Sequence, residues 1–510
     1  MSEPIEVQDL HDRFPRGHGR DEMPTGPNST FMLSGNVLRA QSLRFHPRNP
    51  EGRVFLGVLN ADVREEVDPA SGQTLRHAVG GTPIGVGDDR HVITIAGSRA
   101  GKGRAALTPN LLSYPGSVLV VDPKGDLADS TARYRSKNLG QTVYVLDPFG
   151  ASTGSGARFQ AKYNPLTFLD PDSDTLIEDA GMISDALVIP SGGDPHWDES
   201  ARNFIEGLVL HVATSPAYAN SRHLPQVYDL LMKAMELVDG EFPLEEEMRR
   251  NTAAGGGVVT AATDFYDKAD RERDSVLSTA RRHLRFLGYR SMRRVLSDSS
   301  FDLRDLKRRH VSIYLSLPAM RMGTCSRWLR LFVNLTLAAM EQEQKKPKHP
   351  VLMCLDEFAV LGTMKTIEDA AGQIAGLGVK LWPILQDLGQ LKALYKDRWE
   401  TFMGNAGVLQ FFGNSDLTTL EWISKRLGQT TVLSPSQSSP TYDAARQAGA
   451  TGKSWSYVTQ DLMTPEEVSR FFGRDDYLLR QLIFRPTWLP MVLQRAYYDK
   501  HELFQGRFDA

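Results

Sequence analysis

Val92-Ile93-Thr94-Ile95-Ala96-Gly97-Ser98-Arg99-Ala100-Gly101-Lys102-Gly103 runs from a short apolar stretch into a glycine-containing loop, and Leu107, Leu111 and Leu112 carry it on at helical spacing. Strand, loop and helix in that order form the setting in which a phosphate-binding loop works. Its chemistry needs consecutive backbone N–H groups around phosphate oxygens, a glycine where a side chain would block the approach, and a lysine that reaches the outer phosphates. Gly101 and Lys102 supply the last two, and Gly97, Ser98, Arg99, Ala100, Gly101, Lys102 and Gly103 are the candidate nucleotide contacts. Two positions depart from the general pattern. Ala96 stands where a first glycine is usual, and Gly103 stands where a Ser or Thr hydroxyl usually meets magnesium. The string alone also fits a glycine-rich turn with a solvated lysine; the flanking strand and helix favour the phosphate loop.

Further apolar runs extend the pattern outward. Val118-Leu119-Val120-Val121 ends at Asp122, and Val143-Tyr144-Val145-Leu146 ends at Asp147-Pro148, with helix-bearing segments between. Short runs buried on both faces and alternating with helices predict a parallel sheet with right-handed crossovers. The pattern resumes after residue 310 with Val311-Ser312-Ile313-Tyr314-Leu315, Val351-Leu352-Met353-Cys354-Leu355, Val379-Lys380-Leu381-Trp382-Pro383-Ile384 and Val408-Leu409-Gln410-Phe411-Phe412. Between them only helical spacing is found, as in Phe204, Leu208, His211 and Val212. The fold class expected is therefore α/β, with a mostly parallel central sheet interrupted by an all-α insertion. The expected division is an N-terminal tail and peripheral hairpin over residues 1–86, a discontinuous nucleotide-binding domain over 87–169 and 300–510, and the inserted helical domain over 170–299. Residues 13–20 read as irregular basic chain, and residues 434–451, rich in Ser, Gln, Ala and Gly, read as a mobile loop.

Composition sets outer limits. The 510 residues exceed one ordinary core, and 41% hydrophobic with 24% charged residues is a soluble globular profile. A formal net charge of -3 gives no global pull toward nucleic acid, so any DNA contact must rest on local patches or on a ring-shaped assembly. Cys325 and Cys354 are too few for a disulfide scaffold and fit a reducing cytoplasm. No window approaches the roughly 18 consecutive apolar residues that span a bilayer, so no membrane anchor is expected within the chain.

A second chemical signal is Asp356-Glu357, two carboxylates at the tip of the apolar run 351–355. Adjacent negative charges at a buried strand end are costly unless a cation or water satisfies them. In a P-loop enzyme the first carboxylate holds Mg²⁺, often through water, and the second polarises the attacking water. Asp356 takes the first role here and Glu357 the second; a strand ending in solvated acids is the plainer alternative. Gln386 follows the run 379–385, where ligands bind in open α/β sheets, and either senses the γ-phosphate or caps the next helix.

At these residues a family resemblance becomes specific. Gly101-Lys102-Gly103, Pro109-Asn110-Leu111-Leu112, Tyr114-Pro115-Gly116-Ser117-Val118, Asp122-Pro123-Lys124-Gly125-Asp126-Leu127, Asn164-Pro165-Leu166, His196-Trp197-Asp198, Leu355-Asp356-Glu357-Phe358, Gln386-Asp387-Leu388-Gly389-Gln390-Leu391 and Leu462-Met463-Thr464-Pro465-Glu466-Glu467-Val468 follow one another in the chain. In that order they resemble the VirD4/TraG coupling-protein family over roughly residues 80–500. The resemblance implies a RecA-like P-loop ATPase using ATP and Mg²⁺, an inserted helical domain facing the cytoplasm, and a hexameric ring. It implies delivery of relaxase-bound DNA, single- or double-stranded, or of an effector protein to a type IV secretion channel. Within the family Ala96 and Gly103 are ordinary variants. Most members carry N-terminal membrane helices; none is read here, so a cytoplasmic chain held at the bacterial inner membrane by partners is expected. Relatives often place a trans-acting basic residue where this chain has Gly372-Gln373-Ile374, so no such arginine is assigned. The rival readings are a DNA translocase unrelated to secretion and a nucleotide-binding substrate receptor with weak hydrolysis.

Two further clusters stay open. Arg281, Arg282, Arg285, Arg290, Arg293 and Arg294 form either a phosphate-contacting surface or a solvated face paired with acids such as Asp270, Glu272 and Asp274. His196-Trp197-Asp198-Glu199 lacks zinc-ligand spacing, and Asp198 reads as a helix N-cap with Trp197 packed.

Overall fold

The computed structural model describes residues 27–67, 72, 74–190, 194–370, 373–437 and 453–509. The basic stretch 13–20 and residues 438–451 of the expected loop lie outside these, as does Gly372 of the tripeptide 372–374. Residues 434–437 belong to a strand.

In chain order the strands are β1 (Val54–Leu59), β2 (Asp62–Val67), β3 (Thr74–Val79), β4 (Thr82–Val86), β5 (His91–Ala96), β6 (Val118–Asp122), β7 (Thr142–Leu146) and β8 (Val311–Ser316). They continue with β9 (Val351–Leu355), β10 (Val379–Leu385), β11 (Ala406–Phe412), β12 (Gln429–Gln437), β13 (Lys453–Asp461), β14 (Arg480–Phe484) and β15 (Met491–Gln494). The chain folds into two compact units. One holds residues 1–88, 92–113 and 385–506, the other 89–91, 114–384 and 507–510.

In the second unit the strand order is β10-β9-β6-β8-β7, and every pair is parallel. All residues of β6, β8, β9 and β10 are buried, which is why each reads as a mainly apolar run, interrupted by Ser312 and Ser316 in β8 and Lys380 in β10 and closed by Asp122 in β6, rather than as an alternation. In the first unit the order is β4-β1-β15-β14-β11-β5, and the pairs from β4 through β11 are antiparallel. The parallel strands match the sequence expectation, and the antiparallel ones enlarge it. β2 and β3 form a separate hairpin, while β1, residues 54–59, pairs with β4 and β15.

Residues 170–299 carry helices Leu176–Leu187, Pro195–Thr214, Leu224–Lys233, Pro243–Arg250, Gly257–Tyr266, Asp270–Leu284 and Arg290–Leu296, with no strand among the described residues. Their core includes the stacked rings of Phe204 and Phe265, 3.7 Å between centroids. Ser300 N donates to Lys162 O at 2.9 Å and Asn164 N to Ser299 Oγ at 3.0 Å, so the chain returns from the helices to the place it left. Helix Leu176–Leu187 also reaches helix Ala319–Gln342, where Arg330 Nε donates to Ala186 O at 3.3 Å.

Arg135, fully buried in helix Asp126–Lys137, ties this helix to the sheet. Its guanidinium donates to Ser312 Oγ at 2.7 Å, Gln141 Oε1 at 2.7 Å, Gly116 O at 3.0 Å and Tyr114 O at 3.2 Å. Without it Tyr114 O and Ser312 Oγ would lose this donor in a dry interior, whereas Gly116 O and Gln141 Oε1 would keep Gln141 Nε2 and Ser312 Oγ. Arg135→Ala is expected to cost about 3–5 kcal/mol of unfolding free energy, read as a lowered midpoint in urea denaturation; an unchanged midpoint would show that the network is dispensable.

Candidate nucleotide-binding site

In the first unit the loop 97–103 leaves the buried end of β5 and is shaped by its packing. Ala96 and Ala100 share a buried apolar cluster with Phe412 at the end of β11. Gly97 N donates to Phe412 O at 3.2 Å. A Cβ at position 97 would stand 1.8 Å from the carbonyl oxygen of Gly413, so only glycine fits. Gly413 in turn has φ +68, and a Cβ there would lie 2.3 Å from that of Ala100. The loop and the turn after β11 are thus interlocked at backbone distance.

The turn itself uses two left-handed residues, Arg99 at φ 57 and Gly101 at φ 88. Such alternation curls successive N–H groups into an anion-binding concavity. Ala105 N donates to Gly101 O at 2.8 Å, and Lys102 stands at the head of a π-helical turn, Gly103–Leu107, that leads into helix Thr108–Ser113. Ser98 and Arg99 are exposed, whereas Gly97 and residues 101–103 are half-buried. Space is open around Gly103, so no neighbouring atom fills the place of the missing hydroxyl.

Arg495 is a support that sequence reasoning missed. Fully buried, it donates to Ala100 O at 3.0 Å and to Leu479 O at 3.3 Å, with its guanidinium 5.5 Å over the Phe412 ring. Only its late position after a short strand marks it in the sequence, which is no signal. Arg104 pairs with Asp499 through Nε at 3.0 Å, fixing the helical turn from the same C-terminal segment.

Gln386 lies in this unit too. The cap of helix Leu388–Tyr395 is Asp387, whose carboxylate accepts from Gln390 N at 2.8 Å, so capping is not the work of Gln386. Gln386 is half-buried; its N–H donates to Gln390 Oε1 at 3.0 Å and its carbonyl accepts from Asn414 Nδ2 at 3.2 Å. Asn414, 5% exposed and next to Gly413, keeps a buried Oδ1 without a hydrogen-bond partner. It was not singled out from the sequence, where Gly413-Asn414 reads as an ordinary turn.

The carboxylates Asp356 and Glu357 belong to the second unit and follow β9 directly. Both are half-buried, and Phe358 behind them is fully buried. Glu357 has φ 56, a left-handed conformation unusual for a side-chain-bearing residue, and its N–H donates to Asp356 Oδ1 at 3.1 Å. Strain of this kind persists where surroundings hold it and gathers at functional sites. Asp122 closes the neighbouring β6, buried at 1% exposure, with Oδ2 accepting from Ala128 N at 2.9 Å. Burial pushes its carboxyl up to about 7; the amides of Ala128 and Leu127 oppose the rise, and the charges of Asp126 and Asp356 add to it. Ser316, its register partner on β8, holds a buried Oγ with no hydrogen-bond partner. Asp122, Ser316 and Asp356 therefore mark the carboxyl ends of three adjacent parallel strands, the edge at which ligands bind in open α/β sheets. Among the described residues no group of three or more His, Cys, Asp or Glu could hold a metal, whereas a single carboxylate with phosphates and water is how Mg²⁺ is commonly held.

The other clusters resolve differently from their sequence readings. The N-cap of helix Pro195–Thr214 is Asp194, which accepts from His196 N at 3.1 Å; Pro195 fixes the first turn, so Asp198 lies inside the helix. Asp198 is buried and accepts from His283 Nε2 at 3.1 Å and Arg282 at 3.3 Å, while Trp197 is half-buried. Arg293 forms a two-pronged pair with Asp229. The acids that meet the arginine cluster are thus Asp198 and Asp229; Asp270 pairs with Arg273 and Glu272 with His196.

The family model described as Type IV secretory system Conjugative DNA transfer matches residues 60–508. The conjugal transfer protein TraG of Escherichia coli is 28% identical over 400 residues, 75% of this chain and 62% of its own length. Protein VirD4 of Agrobacterium fabrum is 27% identical over 384 residues, 74% of this chain and 55% of its own. The chain thus spans less than two thirds of the length of either relative. Among solved structures, the unbound bacterial conjugative coupling protein TrwBdeltaN70 superposes with a TM-score of 0.63 at 14% identity, over 92% of this chain and 95% of that one. TrwB in complex with the non-hydrolysable ATP analogue ADPNP gives 0.63 at 14% identity over 92% and 94%. TrwB with ADP and Mg²⁺ gives 0.58 at 15% over 80% and 86%. The chain shares the fold of these coupling-protein structures, a mixed α/β architecture with parallel and antiparallel strand pairs and an all-α part. Since the family match covers nearly the whole length, the chain belongs to the type IV secretory system conjugative DNA transfer family.

Proposed function

We propose that the chain is an ATP-driven coupling protein that recruits DNA, relaxase-bound or free, or an effector protein and delivers it to a type IV secretion channel. The observation that carries this is the loop 97–103. Its left-handed Arg99 and Gly101, its lysine at a helix start and its interlock with Gly413 suit phosphate oxygens rather than a solvated turn. The solved TrwB complexes with an ATP analogue and with ADP and Mg²⁺ support the same ligands for this chain.

In this reading the amides of residues 97–103 bind the phosphates and Lys102 neutralises the outer ones. Asp356 holds Mg²⁺, directly or through water, and Glu357 accepts a proton from the attacking water as it forms its bond to phosphorus. Gln386 orients that water or senses the γ-phosphate. ATP with Mg²⁺ supplies the phosphoanhydride bond whose cleavage drives transfer. The helical segment 170–299 serves as the inserted domain that meets the cargo, supported by the return of the chain at Ser300 to Lys162. Segments 87–169 and 300–510 then form the nucleotide-binding domain, and residues up to 86 its periphery. A homo-oligomeric ring, a hexamer as in the family reading, gives the transferred strand a path. This reading includes contact with the inner membrane through channel partners from the cytoplasmic side; no helix among the described residues is long and apolar enough to cross a membrane. The open space at Gly103 favours one second reading, a nucleotide-binding receptor that hydrolyses little.

Lys102→Ala is expected to lower ATP turnover by about two to three orders of magnitude without loss of folding, measured by phosphate release and thermal unfolding; unchanged turnover would remove the phosphate-loop assignment. Glu357→Gln keeps the left-handed backbone as well as Glu does and should retain ATP while slowing hydrolysis about 10²–10⁴-fold. Asp356→Asn should instead weaken nucleotide binding in a Mg²⁺-dependent manner. Equal loss of affinity in both variants, with the chemical step untouched, would refute the division of roles. DNA-stimulated turnover in the wild-type chain separates the motor from the receptor.

A further inference from the structure

The arginines near the end of the helical segment divide into two kinds. Arg282 and Arg293 are met by carboxylates, Asp198 and Asp229. Arg290 and Arg294 are exposed and have no carboxylate partner among the described residues; Arg294 donates to the carbonyl oxygen of Pro148 at 3.3 Å. Both line a cleft with Tyr289, Gly288 and Ser291. Arg321, exposed near the start of helix Ala319–Gln342, lies with its guanidinium 5.6 Å from the ring of Phe149 and likewise has no carboxylate partner among the described residues. Arg294 and Arg321 are thus anchored on one dipeptide, Pro148-Phe149, just beyond the carboxyl end of β7.

A guanidinium that is half-satisfied by carbonyls or rings and open to solvent keeps its forked donors for a planar or tetrahedral anion. In a chain with net charge -3, such a cluster, with no ion pair to its guanidinium groups among the described residues, is a local attractor for polyanions, although Asp147 precedes the dipeptide that anchors it. Two arginines and a tyrosine lining one cleft, with Arg321 held on the same dipeptide as Arg294, fit a phosphodiester strand, whose charges recur at regular spacing and whose bases can stack on a ring. We propose that Arg290, Arg294 and Arg321 form a phosphate-contacting track for the transferred nucleic-acid strand, with Tyr289 in the cleft beside it. This rests on the DNA-transfer reading above and assigns it a surface.

The test is fluorescence anisotropy of a mixed-sequence single-stranded oligonucleotide against the full chain at several salt concentrations, for wild type, Arg290→Glu/Arg294→Glu/Arg321→Glu and the corresponding triple Ala variant. Loss of three phosphate contacts should flatten the log-affinity against log-salt slope by about 2 and weaken binding at least about ten-fold near physiological salt. The exposed positions should leave the melting temperature close to that of wild type, and the Ala variant guards against effects of charge reversal on folding. Wild-type binding with both variants unchanged in affinity and slope would overturn the surface and leave the DNA reading standing. A wild-type chain that binds no oligonucleotide at low salt would remove that reading and this surface together. Variants that lose binding to polyglutamate but not to the oligonucleotide would assign the track to an acidic protein segment and overturn the proposal.

Discussion

The carbonyl of Gly413 comes so near Gly97 that no side chain can stand between them, and the shape of the phosphate loop depends on that approach. With Gly97 pinned to the end of β11, Ala100 is pressed into the cluster with Ala96 and Phe412, and Arg495 closes over its carbonyl. The loop must then climb out through Arg99 and Gly101 in left-handed conformations before the helix can begin. The pattern usual for such loops is weakened at its first glycine. Ala96 fits at this position because it packs in a buried cluster with Ala100 and Phe412.

What was legible follows from burial. Strands sealed on both faces, such as β6, β8 and β9, leave mainly apolar runs, and their carboxyl ends announce themselves by a sudden acid, Asp122 or Asp356. Lys102, Asp356 and Glu357 stood out for this reason. β14 and β15 are short and interrupted by Arg480, Gln481 and Gln494, whose side chains are held in buried hydrogen bonds that sequence spacing does not reveal. Arg495 and Asn414 were invisible for a related cause. Each is a polar residue in the interior whose partners come from distant segments, so nothing nearby in the chain marks it. Asp198 was misjudged by four residues because Asp194-Pro195 was the true helix start, and a buried acid paired with His283 and Arg282 resembles a cap when only its neighbours are seen.

The carboxyl edge of the parallel strands stores unfavourable charge. Asp122 is held near neutrality by burial, Glu357 sits in a strained conformation, and Ser316 keeps an unpaired hydroxyl. Each feature costs free energy in the folded chain, and together they describe an edge prepared for a ligand rather than one optimised for stability. The open position at Gly103 belongs to the same logic. In the proposed reading a loop that offers no hydroxyl to Mg²⁺ would leave more of the ion's binding to Asp356, and nucleotide affinity would depend on that carboxylate more steeply than in loops that supply the ligand.

Arginine use separates structure from recognition. Arg135 and Arg495 are sealed inside and satisfied by carbonyls and neutral side chains, where removal takes a donor from several acceptors at once. Arg293 and Arg282 neutralise Asp229 and Asp198 between helices. Arg290, Arg294 and Arg321 do neither, although carboxylates elsewhere in the same helical segment are paired with other cations. A folded chain gains little by leaving such groups unpaired on one surface, since like charges repel and a neighbouring acid would relieve them. In the proposed reading an external phosphate strand supplies the opposing charge, and a ring of such subunits would multiply that attraction along the strand without any change in the small net charge of each.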